Sequence, residues 1–218
     1  CLAIGQAHAQ GAGMKWERLN KEVEQLGETG QYGRAVIVAT TALKIAEQNV
    51  GPDHPDVARS LNTLAELYYA QGDYAQAEPL FNRALAICEK VLGLEHPDVA
   101  KSLHSLAVLY KTQGKYAKAE PLYKRALAIR EKALGPEHPD VAMSLDNLAD
   151  FFQAQGEYAK AEPLYQRALA IREKALGPEH LEVAETLENL AALYRATNRI
   201  KEAEKLEMRV KEIKAIKR

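Results

Sequence analysis

The sequence predicts an all-α fold, a solenoid of antiparallel helix pairs, and three observations predict it. The block Gly93 to Leu134 is restated at a spacing of 42 residues, by Gly51 to Leu92 before it and by Gly135 to Leu176 after it. Apolar residues recur at intervals of three and four, the mark of a helix with one buried stripe. Glycine and proline stand at the same places in each block and punctuate it into two helices, A and B. Self-similarity at a fixed period means units that cannot bury their apolar faces alone and share a continuous core with their neighbours.

Taken in order, residues 1–13 are a lead-in, with Gln10 to Gly13 a flexible stretch. Residues 14–50 form a degenerate first repeat and N-terminal cap. Its first helix carries Trp16, Leu19, Val23 and Leu26 on one stripe, and Gly30 ends it. Repeats at 51–92, 93–134 and 135–176 follow. In each, His-Pro-Asp (His54, His96 and His138 with their two successors) opens helix A, because proline suits the first turn and the acid complements the positive helix end. Gly72, Gly114 and Gly156 end helix A, and helix B begins at Tyr74, Tyr116 and Tyr158. Pro79, Pro121 and Pro163 fall early in helix B, where each predicts a local bend. Residues 177–218 are a degenerate fifth repeat and C-terminal cap: Leu181 replaces the opening proline, Asn198 the turn glycine and Glu207 the aromatic residue.

Composition excludes several classes. With 29 basic and 30 acidic residues and a net charge of −1, the chain lacks the basic excess of a nucleic-acid binder. Its apolar residues come in short periodic groups, so no membrane span is expected. Two cysteines, Cys1 and Cys88, suggest neither a disulfide framework nor a metal pair. Cys88 stands where Arg130 and Arg172 stand in the next blocks, a place that accepts charge and is therefore expected to be exposed. Residues 1–9, CLAIGQAHA, have the form of the end of a secretory signal cleaved before Gln10; a linker is the alternative, so cytoplasmic and exported locations both stay open.

Leu61, Leu64, Ala65, Tyr68, Gly72, Tyr74, Ala77, Phe81 and Ala84 stand at spacings that resemble the tetratricopeptide signature, small where helices A and B cross and large between. The match recurs from Leu103 to Ala126 and from Leu145 to Ala168. A period of 42 with an added LGxEHPDVA connection resembles the kinesin light chain type of this repeat. The resemblance implies a right-handed superhelical solenoid whose helix A residues line a concave groove for a peptide or partner protein. Nothing in the chain resembles the coiled coil of a motor-bound light chain, and the basic and asparagine clamp of chaperone-binding members is not matched.

Differences between the blocks point to the binding face. Of eleven differences between 93–134 and 135–176, six are Lys101/Met143, His104/Asp146, Ser105/Asn147, Val108/Asp150, Lys111/Gln153 and Thr112/Ala154. Their spacings of 3, 1, 3, 3 and 1 draw one stripe on helix A. The preceding block varies there too, as Arg59, Asn62, Thr63, Glu66, Tyr69 and Ala70. The half-exposed helix B run RALAIREK, Arg125 to Lys132, is repeated unchanged at Arg167 to Lys174. Drift of exposed positions is the competing explanation, but it should have touched both surfaces. The expected groove therefore contains Arg59, Asn62, Thr63, Glu66, Tyr69, Lys101, His104, Ser105, Val108, Lys111, Met143, Asp146, Asn147, Asp150 and Gln153, extended by Glu185, Glu188, Asn189 and Arg195. Arg59, Lys101, His104 and Lys111 make its earlier half basic, and Asp146, Asp150, Glu185 and Glu188 its later half acidic. A ligand of mixed charge is expected, acidic toward the first repeats and basic toward the last. Asn62, Asn147 and Asn189 would bond its backbone, with Tyr69 and Val108 as apolar contacts.

Catalysis is not expected. There is no HExxH, phosphate loop, GxGxxG after a strand or calcium loop, and no acid–base pair stands out. His54, His96, His138 and His180 recur at the repeat spacing, but adjacent helices lie about 8–10 Å apart, too far for shared zinc ligands at about 2 Å. Helix-start capping suits them better. No cofactor is implied. A spacer or self-association module is the alternative to a partner-binding scaffold, and a metal-dependent hydrolase is a remote one.

Overall fold

The structure, a computed structural model, describes residues 2–216, with side chains from residue 13 onward. Ten α-helices and no strands occur among the described residues: α1 (Leu2–Glu28), α2 (Tyr32–Val50), α3 (Pro55–Ala70), α4 (Tyr74–Leu92), α5 (Pro97–Thr112), α6 (Tyr116–Leu134), α7 (Pro139–Ala154), α8 (Tyr158–Leu176), α9 (Leu181–Ala196) and α10 (Ile200–Ile216). The fold is an all-α helical repeat solenoid. Odd-numbered helices are the A helices and even-numbered ones the B helices. Helix α1 starts ahead of the expected Met14, since nothing in the lead-in but its glycines disfavours helix. Cys1 and the leader reading of residues 1–9 lie outside the described side chains.

The chain divides into two compact units, one ending at Ala119 and the other beginning at Glu120. In the first unit α1 packs on α2, α2 on α3, α3 on α4 and α4 on α5, and the A helices α3 and α5 also touch. Val23, Leu26, Ala35, Ala39, Leu64 and Leu67 form one of its cores, with Tyr68 and Leu80 against it. In the second unit α7 pairs with α8, α8 meets α9, and α9 pairs with α10. Val141, Ala142, Leu145, Ala168 and Ile171 fill one layer, and Val183, Ala184, Leu187, Val210 and Ile213 the next. Fully buried alanines at Ala77, Ala84, Ala161 and Ala168 let the paired helices approach closely.

Capping follows the repeat. The Nδ1 atoms of His54, His96, His138 and His180 accept the backbone N–H of Asp56, Asp98, Asp140 and Glu182 at 3.2, 3.2, 3.1 and 3.3 Å. Each histidine thereby satisfies an otherwise orphaned donor of the first turn. Gly72, Gly114 and Gly156 leave helix A at φ of 79°, 72° and 74°, and Asn198 does the same in the last repeat at 60°.

One expectation is overturned. Cys88 is buried, 4% exposed, and so are Arg130 and Arg172 at 6% each. A charge at this position does not mark exposure, because the helix interface supplies its partners. Arg130 Nη1 donates to Ser144 Oγ at 2.5 Å. Arg172 Nη1 donates to the Asp146 carboxylate and to Thr186 Oγ1, and its Nε lies 3.4 Å from Glu182 Oε2. The repeated run of helix B is thus only partly a free surface.

Candidate functional site

In the first unit the A helices α1, α3 and α5 present two adjoining clefts. The larger, of about 280 Å³, lies between α3 and α5 over α4 and is lined by Asp56, Arg59, Asn62, Thr63, Glu66, Cys88, Asp98, Lys101 and Ser102, among others. The second, of about 230 Å³, lies between α1 and α3 and is lined by Trp16, Glu17, Asn20, Lys21, Glu24, Arg59 and Thr63. Arg59 and Thr63 belong to both, so the clefts are two halves of one depression along the A-helix face.

Five of the ten expected residues of this unit line a cleft, and Tyr69, His104, Ser105, Val108 and Lys111 lie outside both. Arg59, Asn62, Thr63, Glu66 and Lys101 surround the larger cleft. The Arg59 guanidinium is held 4.3 Å above the Trp16 ring and 3.2 Å from Asp56 Oδ1, so its direction is set before any ligand arrives. Asn62 Nδ2 donates to Ser102 Oγ at 3.2 Å, across from α3 to α5. Its Oδ1 is buried and has no hydrogen-bond partner. The Tyr69 hydroxyl and Thr112 Oγ1 lie 2.9 Å apart, tying α3 to α5 at the other end of the face. Tyr69 thus offers a ring edge with its polar tip already engaged. Glu66 is exposed as a residue, yet the concave surroundings of its carboxyl raise its pKa, partly offset by Lys101. His104, Ser105, Val108 and Lys111 are half-buried on α5.

In the second unit the stripe is more committed to the fold. Met143 is exposed and Asn147, Asp150 and Gln153 are half-buried on α7, while Glu185, Glu188 and Arg195 are exposed and Asn189 half-buried on α9. Asp146, expected as a solvent-facing acid, is 8% exposed and ion-paired with Arg172. Burial pushes its pKa up to about 6, against the pull of Arg172 and Thr186. Asp150 accepts from the Tyr165 hydroxyl, and Asn147 Nδ2 donates back to Met143 O at 2.8 Å in its own helix. Glu188 pairs with Lys214 at 2.7 Å, and Arg195 with Glu207 at 2.6 and 2.7 Å. Glu185 is the exposed acid of the set with no drawn-in role.

Sequence reasoning missed Trp16, Cys88 and Ser102 as lining residues. Position 88 aligns with Arg130 and Arg172 in the sequence, but the contacts that bury them do not show there; Trp16 comes from a degenerate repeat and left no signal. Among the described residues, no three His, Cys, Asp or Glu side chains gather as a metal set, and no helix is long and apolar enough to cross a membrane.

A family model described as the nephrocystin-3 TPR domain matches residues 12–132, and one described as the tetratricopeptide repeat matches residues 140–215. The chain is a tetratricopeptide repeat protein. A solved structure of a Podosopora anserina protein described as kinesin light chain with nearly identical TPR-like repeats is similar to it. The two share 30% identity at a TM-score of 0.78, over 93% of this chain and 96% of that one. This TPR chain is therefore of the kinesin light chain-like type. BtubC (BKLC) from P. vanneervenii, at 24% identity and TM-score 0.79, covers 97% of this chain and 91% of its own and shares the fold. So does a Rap protein solved with Competence and Sporulation Factor, at 18% identity and TM-score 0.76, covering 92% of this chain and 54% of its own. No curated protein matches the sequence of this TPR chain.

Proposed function

We propose that this TPR protein is an interaction scaffold that binds a segment of a partner protein along its A-helix faces. The observation that carries the reading is the pair of adjoining clefts in the first unit, whose shared residues Arg59 and Thr63 lie on the stripe that varies from repeat to repeat. Variation concentrated on one face, six of the eleven differences between adjacent blocks, suits a surface shaped for a ligand. That a Rap protein of the same fold was solved with a bound factor agrees with such use. Lys101 and Lys111 on α5 attract acidic partner residues, and Glu185 on α9 attracts basic ones; with Asp146, Asp150 and Glu188 engaged internally, the second face selects charge less strongly than the first.

Trp16 is the only tryptophan and borders one cleft, so its fluorescence reports occupancy. Peptides selected from a random library on the wild-type chain should change Trp16 emission saturably. Lys101→Glu combined with Lys111→Glu should weaken them by about tenfold or more and flatten their salt dependence. Selected peptides that bind this variant as well as the wild type, at every salt concentration, would overturn the reading.

A further inference from the structure

Comparison of the repeats within the first and second units shows a place, at Cys88, where the buried arginine of the later repeats is absent. In the second unit, Arg130 reaches Ser144, and Arg172 reaches Thr186, Asp146 and Glu182. Subtracting the repeat length places Cys88 at the arginine, Ser102 at Ser144 and Thr186, Asn62 at Asp146, and Asp98 at Asp140 and Glu182. The first repeat solves the same interface differently, with Trp16 Nε1 donating to Ser60 Oγ at 2.9 Å. Only the second repeat has a short thiol there, and Ser102 Oγ reaches its Sγ at 3.9 Å. The cleft of about 280 Å³ lies over this place, with Cys88, Ser102, Asn62 and Asp98 all in its lining. Ser102 is fully buried, and the buried Asn62 Oδ1 is without a donor.

We propose that this cleft receives an arginine side chain of the partner, whose guanidinium takes the place that Arg130 and Arg172 fill from within the chain. The planar fork would donate to Asn62 Oδ1 and Ser102 Oγ and face the Asp98 carboxylate, the set that Arg172 finds in Asp146, Thr186 and Glu182. The wall charges agree: Asp56, Glu66 and Asp98 against Arg59 and Lys101 leave one negative charge, which one guanidinium cancels. The assignment rests on the A-helix face being the partner-binding surface and adds a chemical class to it. It also refines the expectation of an acidic ligand for the first repeats: a basic residue enters the cleft while acidic neighbours meet Lys101 and Lys111.

The test is an amide-resolved NMR titration of the full chain with N-acetyl-arginine methylamide and with its uncharged isostere, N-acetyl-citrulline methylamide. The arginine probe should shift the Asn62, Lys101 and Ser102 amides saturably, with the citrulline probe weaker by about tenfold. Cys88→Arg, which fills the cleft from within, should abolish the arginine response. Asn62→Asp, which copies Asp146, should tighten it several-fold, and this arm decides the matter if Cys88→Arg fails to fold. Equal response to the two probes, no saturable response, or tightening absent in Asn62→Asp would overturn the proposal. A library peptide that needs Lys101 and Lys111 but ignores Cys88→Arg overturns the arginine cleft and leaves the groove standing. An arginine response without any groove-dependent peptide supports the cleft and removes the groove.

Discussion

Arg172 shows how a charge is kept inside this fold. Its Nη1 donates to a carboxylate and a hydroxyl and its Nε, which has no hydrogen-bond partner, lies near a second acid, so the desolvation cost is offset only while these groups stand. Arg172→Ala should therefore destabilise the second unit by about 3–5 kcal/mol in denaturant titration, because Asp146 is left buried and unpaired. Replacing both, as Arg172→Met with Asp146→Leu, should recover most of that loss. Asp146 also sets a pH signature. Its folded pKa is raised, so the native chain holds the proton more tightly than the unfolded one, and this group's contribution to stability grows as pH falls from about 6 toward 4. The stability of the wild type relative to Asp146→Asn should accordingly be greater at pH 4.5 than at pH 7.5, measured by thermal melts across that range. The burial of position 88 was illegible because sequence reasoning equated charge with exposure; the partners that reverse that inference lie 10 to 26 residues away in the chain.

At the scale of the helix, ends are specified more sharply than middles. Each A helix from α3 to α9 begins on a histidine that accepts from the second residue beyond it, and His138→Ala should cost α7 about 1 kcal/mol by loss of that cap. The turn after α5 demands positive φ at Gly114, and no neighbouring atom lies within 4 Å of a Cβ built there. Gly114→Ala should thus cost about 1–2 kcal/mol through backbone conformation alone, while Asn198→Gly at the matching turn should be neutral or stabilising in the same melts. The unchanged helix B run has an equally local cause. Arg83, Arg167 and Arg209 pair with Glu47, Glu131 and Glu173 at 2.7, 2.5 and 2.5 Å and also donate to the carbonyls of Pro52, Pro136 and Pro178. The run is held by the stack, so its sameness is weaker evidence about drift than the letters alone suggest. The contrast with the A-helix stripe survives because Lys101, Met143 and Glu185 are exposed and carry no such repeated bond.

At the scale of the molecule, repetition made the fold readable before any contact was known. A period of 42, with a glycine at the inner turn and a proline at the A-helix start of the three regular repeats, determines six of the helices and their pairing, and those helix bounds fall where these residues stand. The candidate site was legible only as a face. Periodicity says which residues point the same way; it does not say that Asp146 is drawn inward by Arg172, that Arg59 leans on Trp16, or that a cysteine in place of an arginine opens a cleft. Those depend on pairings between repeats whose partners differ in identity though not in position. The central claim is that the A-helix faces, and not the helix B surface, receive the partner. Hydrogen–deuterium exchange of the full chain with and without a library-selected peptide tests it most directly. The account predicts slowed exchange in α3 and α5 with little change in α8; protection confined to α8 and the N-terminal half of α4 would contradict it.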